Sequence, residues 1–160
     1  MSFKIRQMHK AIFSPNVDWE ERVTGAKACI AAIHDLDINR VVKTRMLNHA
    51  IWELTRAQRE ADAPFRSEGV VFGDLGVKIQ RDHVFRRAQF IEELDQGRDL
   101  DEILSDLLLC IVTCEEHRRL TQADKEDSAV NGWERYRRAG IKVFDCRRME
   151  DGHFAAMTYE

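Results

Sequence analysis

The run Leu107-Leu-Leu-Cys-Ile-Val-Thr-Cys-Glu-Glu-His117 constrains this chain more than any other stretch. Six apolar residues in succession, ending in two β-branched ones, are followed at once by Thr113, with Glu116 three positions on. The apolar part is too continuous for a half-exposed element and reads as a buried strand over about residues 108–112, after a short helix over 100–106. The polar part is a capping box, in which the threonine hydroxyl and the glutamate carboxylate each take a backbone N–H at a helix start. A buried strand that breaks directly into a helix is half of a β-hairpin-plus-helix unit. The helix carries His117 in its first turn.

The other half lies upstream. Val77 and Ile79 alternate with Lys78 and Gln80, which is the period of a strand. Continued, that alternation puts Arg81 and His83 on the side of Ile79 and Asp82 on the opposite side. From Phe85 the spacing turns helical through Ala88, Ile91 and Leu94, and closes at Gln96-Gly97. Asp99 with Glu102 offers a second capping box. Between Pro64 and Gly76, three glycines describe a loop around a short Val70-Val71-Phe72 piece. Beyond His117 the helix is expected to close before the polar stretch that begins at Thr121. A short helix follows between Gly132 and Gly140, and a last strand over Ile141–Asp145.

The first sixty residues are helical in pattern. Met8 and Ile12 share a face, Asp18 with Glu21 reads as a capping box, and Val23, Ala26, Ile30 and Ile33 form a stripe. Asp35-Leu-Asp-Ile-Asn39 interrupts. A second helix is expected from Arg40 to Asp62, with Leu47, Ala50, Ile51 and Leu54 on its apolar face. The architecture predicted is α+β and mainly helical, in one domain over 1–160. A helical hairpin over 1–63 packs on a small ββα-like unit over 64–145 with inserted short helices, and 146–160 forms a loose tail.

Composition narrows the function classes. The net charge of −3 gives no overall attraction for polyanions, so nucleic-acid contact would rest on local clusters such as Arg86-Arg87 and Arg118-Arg119. Such arginine pairs also serve simply to solvate helix faces. None of the four cysteines stands in a Cys-x-x-Cys pair, so no structural zinc is expected. No apolar run reaches the roughly 20 residues of a membrane helix, and none resembles a secretory leader; a cytoplasmic protein without a membrane partner is the expectation. No glycine-rich phosphate loop or serine-nucleophile turn is present.

The order of strand, Asp82-His83, second strand, and helix bearing His117 resembles the ββα-metal nucleases of the HNH family, over about residues 77–120. The resemblance implies that Asp82 and His117 hold one divalent cation, magnesium or manganese. It makes His83 the base that activates water for attack on a phosphodiester of DNA or RNA. Arg81, Arg86, Arg87, Arg118 and Arg119 would clamp the phosphate backbone. The chemistry suits the residue types, because imidazole accepts protons near neutral pH and a hard cation stabilises the charge on a leaving oxygen. The family's middle Asn or His has no counterpart here; Asp106 stands roughly in its place, as a candidate to orient His83. Phe85-Arg86 replaces the proline that often follows the pair, and the connection to the second strand is longer. A wider group of HNH-like proteins shares elements like Glu115-Glu116-His117 and Gly132-Trp-Glu-Arg-Tyr136. The competing expectation is an HNH-like or helical protein without catalysis, docking on a protein partner through its charged surface.

Overall fold

The computed structural model describes residues 17–57, 63–74, 76–150 and 153–157; the helical face expected around Met8 and Ile12 lies outside them. In chain order the elements are α1 (Trp19–Asp35), α2 (Arg40–Ala57), β1 (Phe65–Ser67), α3 (Glu68–Val71), β2 (Ile79–His83) and α4 (Arg87–Asp95). They continue with α5 (Leu100–Ser105), β3 (Leu109–Thr113), α6 (Cys114–Glu126), α7 (Trp133–Arg138), β4 (Val143–Glu150) and β5 (His153–Ala156). The class is α+β, with an N-terminal helix pair and a five-stranded sheet. Among the described residues no helix is long and apolar enough to cross a membrane.

The chain divides into two compact units, each assembled from separated stretches. Of the described residues, a helical unit takes 17–57 and 85–108, and a sheet unit takes those of 63–84 and 109–157. This corrects the expected sequential division at residue 64. Residues 85–108 leave the sheet after β2 and join the N-terminal helices, because their apolar face finds its partners there. Phe90, Ile91, Leu94 and Ile103 pack with Ile30, Leu47, Ala50 and Ile51 into one buried cluster. Each of the Ile, Leu and Phe side chains among them contributes about 1.5–3 kcal/mol relative to exposure.

Helix starts show which local signals act. Asp99 has extended backbone angles (φ −60°, ψ 135°), and its carboxylate accepts from Asp101 N and Glu102 N. Asp18 does not cap: its backbone sits at φ −99°, ψ 13°, near the helical basin, and its side chain makes no capping bond. The capping box expected at Asp18 and Glu21 is therefore absent. Glu20 and Glu21 still place negative charge in the first turn of α1, where the helix dipole favours it.

The strand order is β2-β3-β1-β4-β5. β1 runs parallel to β3 (Phe65↔Cys110, Arg66↔Ile111) and antiparallel to β4 (Phe65↔Asp145, Ser67↔Val143). β2 runs antiparallel to β3, from Ile79↔Thr113 to His83↔Leu109. Every residue of β1 and β3 is buried, as suits parallel neighbours at the centre of a sheet. Three expectations are corrected here. Phe65-Arg66-Ser67 is a central strand rather than loop. Residues 146–150 and 153–156 are not a loose tail, since β4 continues to Glu150 and pairs with β5. Helix α6 runs through the polar stretch to Glu126, helped by a Gln122–Glu126 hydrogen bond one turn apart and by Asp124, whose carboxylate is engaged below.

The pleat sorts side chains between the faces. Ile79, Leu109 and Ile111 pack with Ala63 and Val70 on one face. Asp82 and its cross-strand partner Cys110 belong to the other, together with Phe65, whose ring meets Trp133 of α7 at 5.0 Å.

Candidate active site

Parallel β1 and β3 end side by side, and each passes directly into a helix. Ser67 caps α3, its hydroxyl accepting from Val70 N at 3.3 Å. Thr113 caps α6 in the complete capping box that the sequence announces, with Glu116 N to Thr113 Oγ1 at 3.1 Å and Thr113 N to Glu116 Oε2 at 2.8 Å. The Glu116 carboxylate does more than close its own box. Oε2 also accepts from Ser67 Oγ at 2.5 Å, and Oε1 accepts from Gly69 N at 3.2 Å. One buried carboxylate thus ties the two corners together and fixes how α6 leaves the sheet.

That exit angle delivers His117 to Asp82. The two residues lie on different elements, yet Asp82 Oδ1 is 3.8 Å from His117 Nε2. The carboxylate is buried (8% of its side chain exposed) and the imidazole is 37% exposed, so the pair opens to solvent on the histidine side. The separation is too long for a direct hydrogen bond. Oδ1 accepts no hydrogen bond from any described residue. The two facing atoms leave a gap that a water or a cation would bridge.

The second oxygen of Asp82 is fully used. Tyr136 OH donates to Oδ2 at 2.6 Å and Arg135 Nη1 at 3.2 Å. Arg135 is itself 5% exposed and grips Asp124 of α6 with both edges of its fork, Nε–Oδ1 at 2.7 Å and Nη2–Oδ2 at 2.8 Å. Nη1 also donates to the carbonyls of His83 (2.7 Å) and Val84 (3.1 Å), where β2 ends. Burial works against its charge, but the Asp124 hydrogen bonds and the Asp82 charge override it and raise the pKa above the usual guanidinium value. Burial, with the neighbouring Cys110 and Asp82, pushes the Tyr136 phenol well up, so the hydroxyl stays a donor. Burial likewise holds the Cys110 thiol neutral.

The residues expected from sequence distribute unevenly. Asp82 and His117 come together. His83 adjoins Asp82, but it pairs with Leu109, and the pleat directs its side chain to the opposite face. Arg81 pairs with Ile111 on that same face, and its buried Nε has no hydrogen-bond partner among the described residues. Asp106 belongs to the helical unit, where Arg98 Nη2 donates to its Oδ2 at 2.8 Å. Arg86 and Arg87 start α4 in that unit as well. Arg118 and Arg119 are exposed on α6 and line a cleft of about 770 Å³ at the ends of the parallel strands. Lys78 joins them there, but Asp74, Glu115 and Glu116 balance the charge. Arg119 also donates to Ala139 O at 3.0 Å.

Arg135, Tyr136 and Asp124 were not foreseen as site residues. The only signal was the Gly132-Trp-Glu-Arg-Tyr136 segment itself, since nothing in the sequence links Arg135 to an aspartate eleven positions earlier. Asp82 and His117 supply an oxygen and a nitrogen of the right chemistry for a divalent cation, facing one another, and Oδ1 has no other partner among the described residues. Among the described residues no group of three or more His, Cys, Asp or Glu side chains converges as a fuller ligand set. The fit is that of a two-ligand site, completed by water and substrate oxygens. Compared with family models, with curated proteins and with solved structures, the chain matches none.

Proposed function

We propose that the sheet unit is a ββα-type module that hydrolyses phosphodiester bonds of DNA or RNA with the help of a divalent cation. Asp82, through Oδ1, and His117, through Nε2, would hold the cation. The observation that carries the reading is the 3.8 Å approach of these two atoms from an antiparallel strand pair and the helix that follows it. When bound, a hard cation supplies charge stabilisation for the phosphate and its leaving oxygen. The chain's own part is to aim one carboxylate oxygen and one imidazole nitrogen from rigid elements and to expose the imidazole side to substrate. Arg118, exposed on α6 and lining the cleft at the ends of β1 and β3, would be the contact for a backbone phosphate. His83, expected from sequence as the base, faces the other side of the sheet from Asp82, so the reading gives it no part in the reaction at this site.

The test is cleavage of plasmid DNA and of a structured RNA with magnesium or manganese, with a chelator arm. Wild type should cut at least one substrate in a metal-dependent way, and His117→Ala should lose 100-fold or more. Metal-independent cutting, or cutting that survives His117→Ala, would sink the reading. A second reading, a non-catalytic docking module for a protein partner, is favoured by one observation: Arg135 already gives Asp82 a cationic partner from within the chain. Absence of cleavage together with no manganese binding would leave that second reading standing.

A further inference from the structure

We propose that Arg135 and Tyr136 are positioning residues for the Asp82–His117 site: they engage Oδ2 so that Oδ1 alone is presented to His117 and to a cation. The inference rests on the nuclease-type reading and adds to it the residues that aim its carboxylate.

The contrast between the two carboxylates on Arg135 carries the argument. An arginine frequently meets an aspartate edge to edge, and Arg135 does this with Asp124, using Nε and Nη2 on the two oxygens at 2.7 and 2.8 Å. With Asp82 it does otherwise. Its remaining nitrogen touches Oδ2 only, at 3.2 Å, and a second donor, Tyr136 OH, converges on that same oxygen at 2.6 Å. Two donors on one oxygen and none on the other polarise the group spatially. They fix its rotation about the bond to the chain and leave the second oxygen aimed at the imidazole.

The positions of the donors are themselves held. Arg135 and Tyr136 are consecutive on α7, and neighbours on a helix normally diverge. Here Trp133 packs tilted against the Tyr136 ring at 5.3 Å and edge-to-face against Phe65 of the central strand at 5.0 Å, which seats the phenol. Asp124 and the carbonyls of His83 and Val84 fix the guanidinium from α6 and from the end of β2. The arrangement joins to one oxygen all three elements that build the site. Such outer partners of a ligating carboxylate typically govern metal affinity by 10–100-fold.

The test uses the full chain and manganese alone as probe, with affinity measured by titration and stability by metal-free thermal melting. Wild type should bind manganese, and Asp82→Asn should abolish it. Tyr136→Phe, which deletes one hydroxyl, should weaken manganese binding about tenfold or more. Arg135→Lys, which keeps the charge and loses the fork, should do the same and provides the result if Tyr136→Phe does not fold. Cys146→Ala, a core change in the same unit remote from Asp82, should lower the melting temperature without changing affinity. If wild type binds manganese and both site variants bind within twofold of it, the positioning role is wrong while the nuclease-type reading survives. If wild type binds no manganese, both fall.

Discussion

Ser67 Oγ donates to Glu116 Oε2 at 2.5 Å across 49 positions of sequence, joining the corners where two parallel strands turn into helices. Oε2 takes a second donor, Thr113 N, and Oε1 takes Gly69 N. All three donors need acceptors, and an amide has only one oxygen. Glu116→Gln therefore turns an NH₂ toward at least one buried donor while keeping the volume. A loss of about 1–3 kcal/mol is expected, read as a lower urea midpoint at unchanged slope.

The same corner fixes the sign of a glycine substitution. A Cβ on Gly69 would lie 2.8 Å from Glu116 Oε1 and 2.9 Å from Thr113 Cγ2, so Gly69→Ala must displace the carboxylate. It should destabilise by about 1–3 kcal/mol. Gly25, inside α1, has nothing within 4 Å of such a Cβ. Gly25→Ala should stabilise by about 0.5–1 kcal/mol through helix propensity alone. Equal responses of the two variants in denaturant unfolding would contradict this account of the corner.

Arg135 lies between two acidic side chains, Asp82 and Asp124, with very little of it exposed. Arg135→Met fills most of the volume but leaves both carboxylates without their cation. Removing one partner of a buried ion pair costs about 3–5 kcal/mol. The thermal midpoint of the sheet unit should fall by roughly 10 °C, on the usual conversion for a chain of this size. A fall of under 2 °C would mean that water reaches and satisfies both aspartates.

Alkaline pH should erode stability in a defined window. Burial pushes the Cys146 thiol up to about 11 from the usual 9.0. Below pH 9 the thiol is protonated in folded and unfolded chains alike, and its contribution is complete. Between about 9 and 11 the unfolded thiol loses its proton while the folded one keeps it, so stability falls as pH rises. The full window is worth roughly 2–3 kcal/mol for this group. Cys110 and Tyr136 are shifted in the same direction by burial and deepen the slope. Urea midpoints from pH 8 to 11 should decline in the wild type and decline less steeply in Cys146→Ala.

What the sequence disclosed follows from the range of the interactions involved. The β3–α6 junction was legible because both of its signals, the apolar run and the Thr113–Glu116 box, act within a few residues. The facing of Asp82 away from Arg81 and His83 followed from strand alternation, and the pairing register agrees. β1 was not legible, since three residues with Arg66 at the centre carry no strand pattern; pairing on both sides with β3 and β4 makes them one. Residues 85–108 look, locally, like a connection within the hairpin, and only their contacts with Ile30 and Leu47 assign them elsewhere. Arg135 reads as one of several arginines on a solvated helix, and Arg137 and Arg138, both exposed and paired with Glu134, are just that. Its burial depends on Asp124 and Asp82, which no local pattern announces.

His83 and Leu109 are direct partners across the β2–β3 pair, so the chain departs from the sheet and returns to it at adjoining rungs. Everything inserted between them is, to the strands, a closed detour whose length and contents leave the ladder unchanged. Shortening or enlarging the detour is thus expected to leave the carboxylate before it and the imidazole after it facing one another.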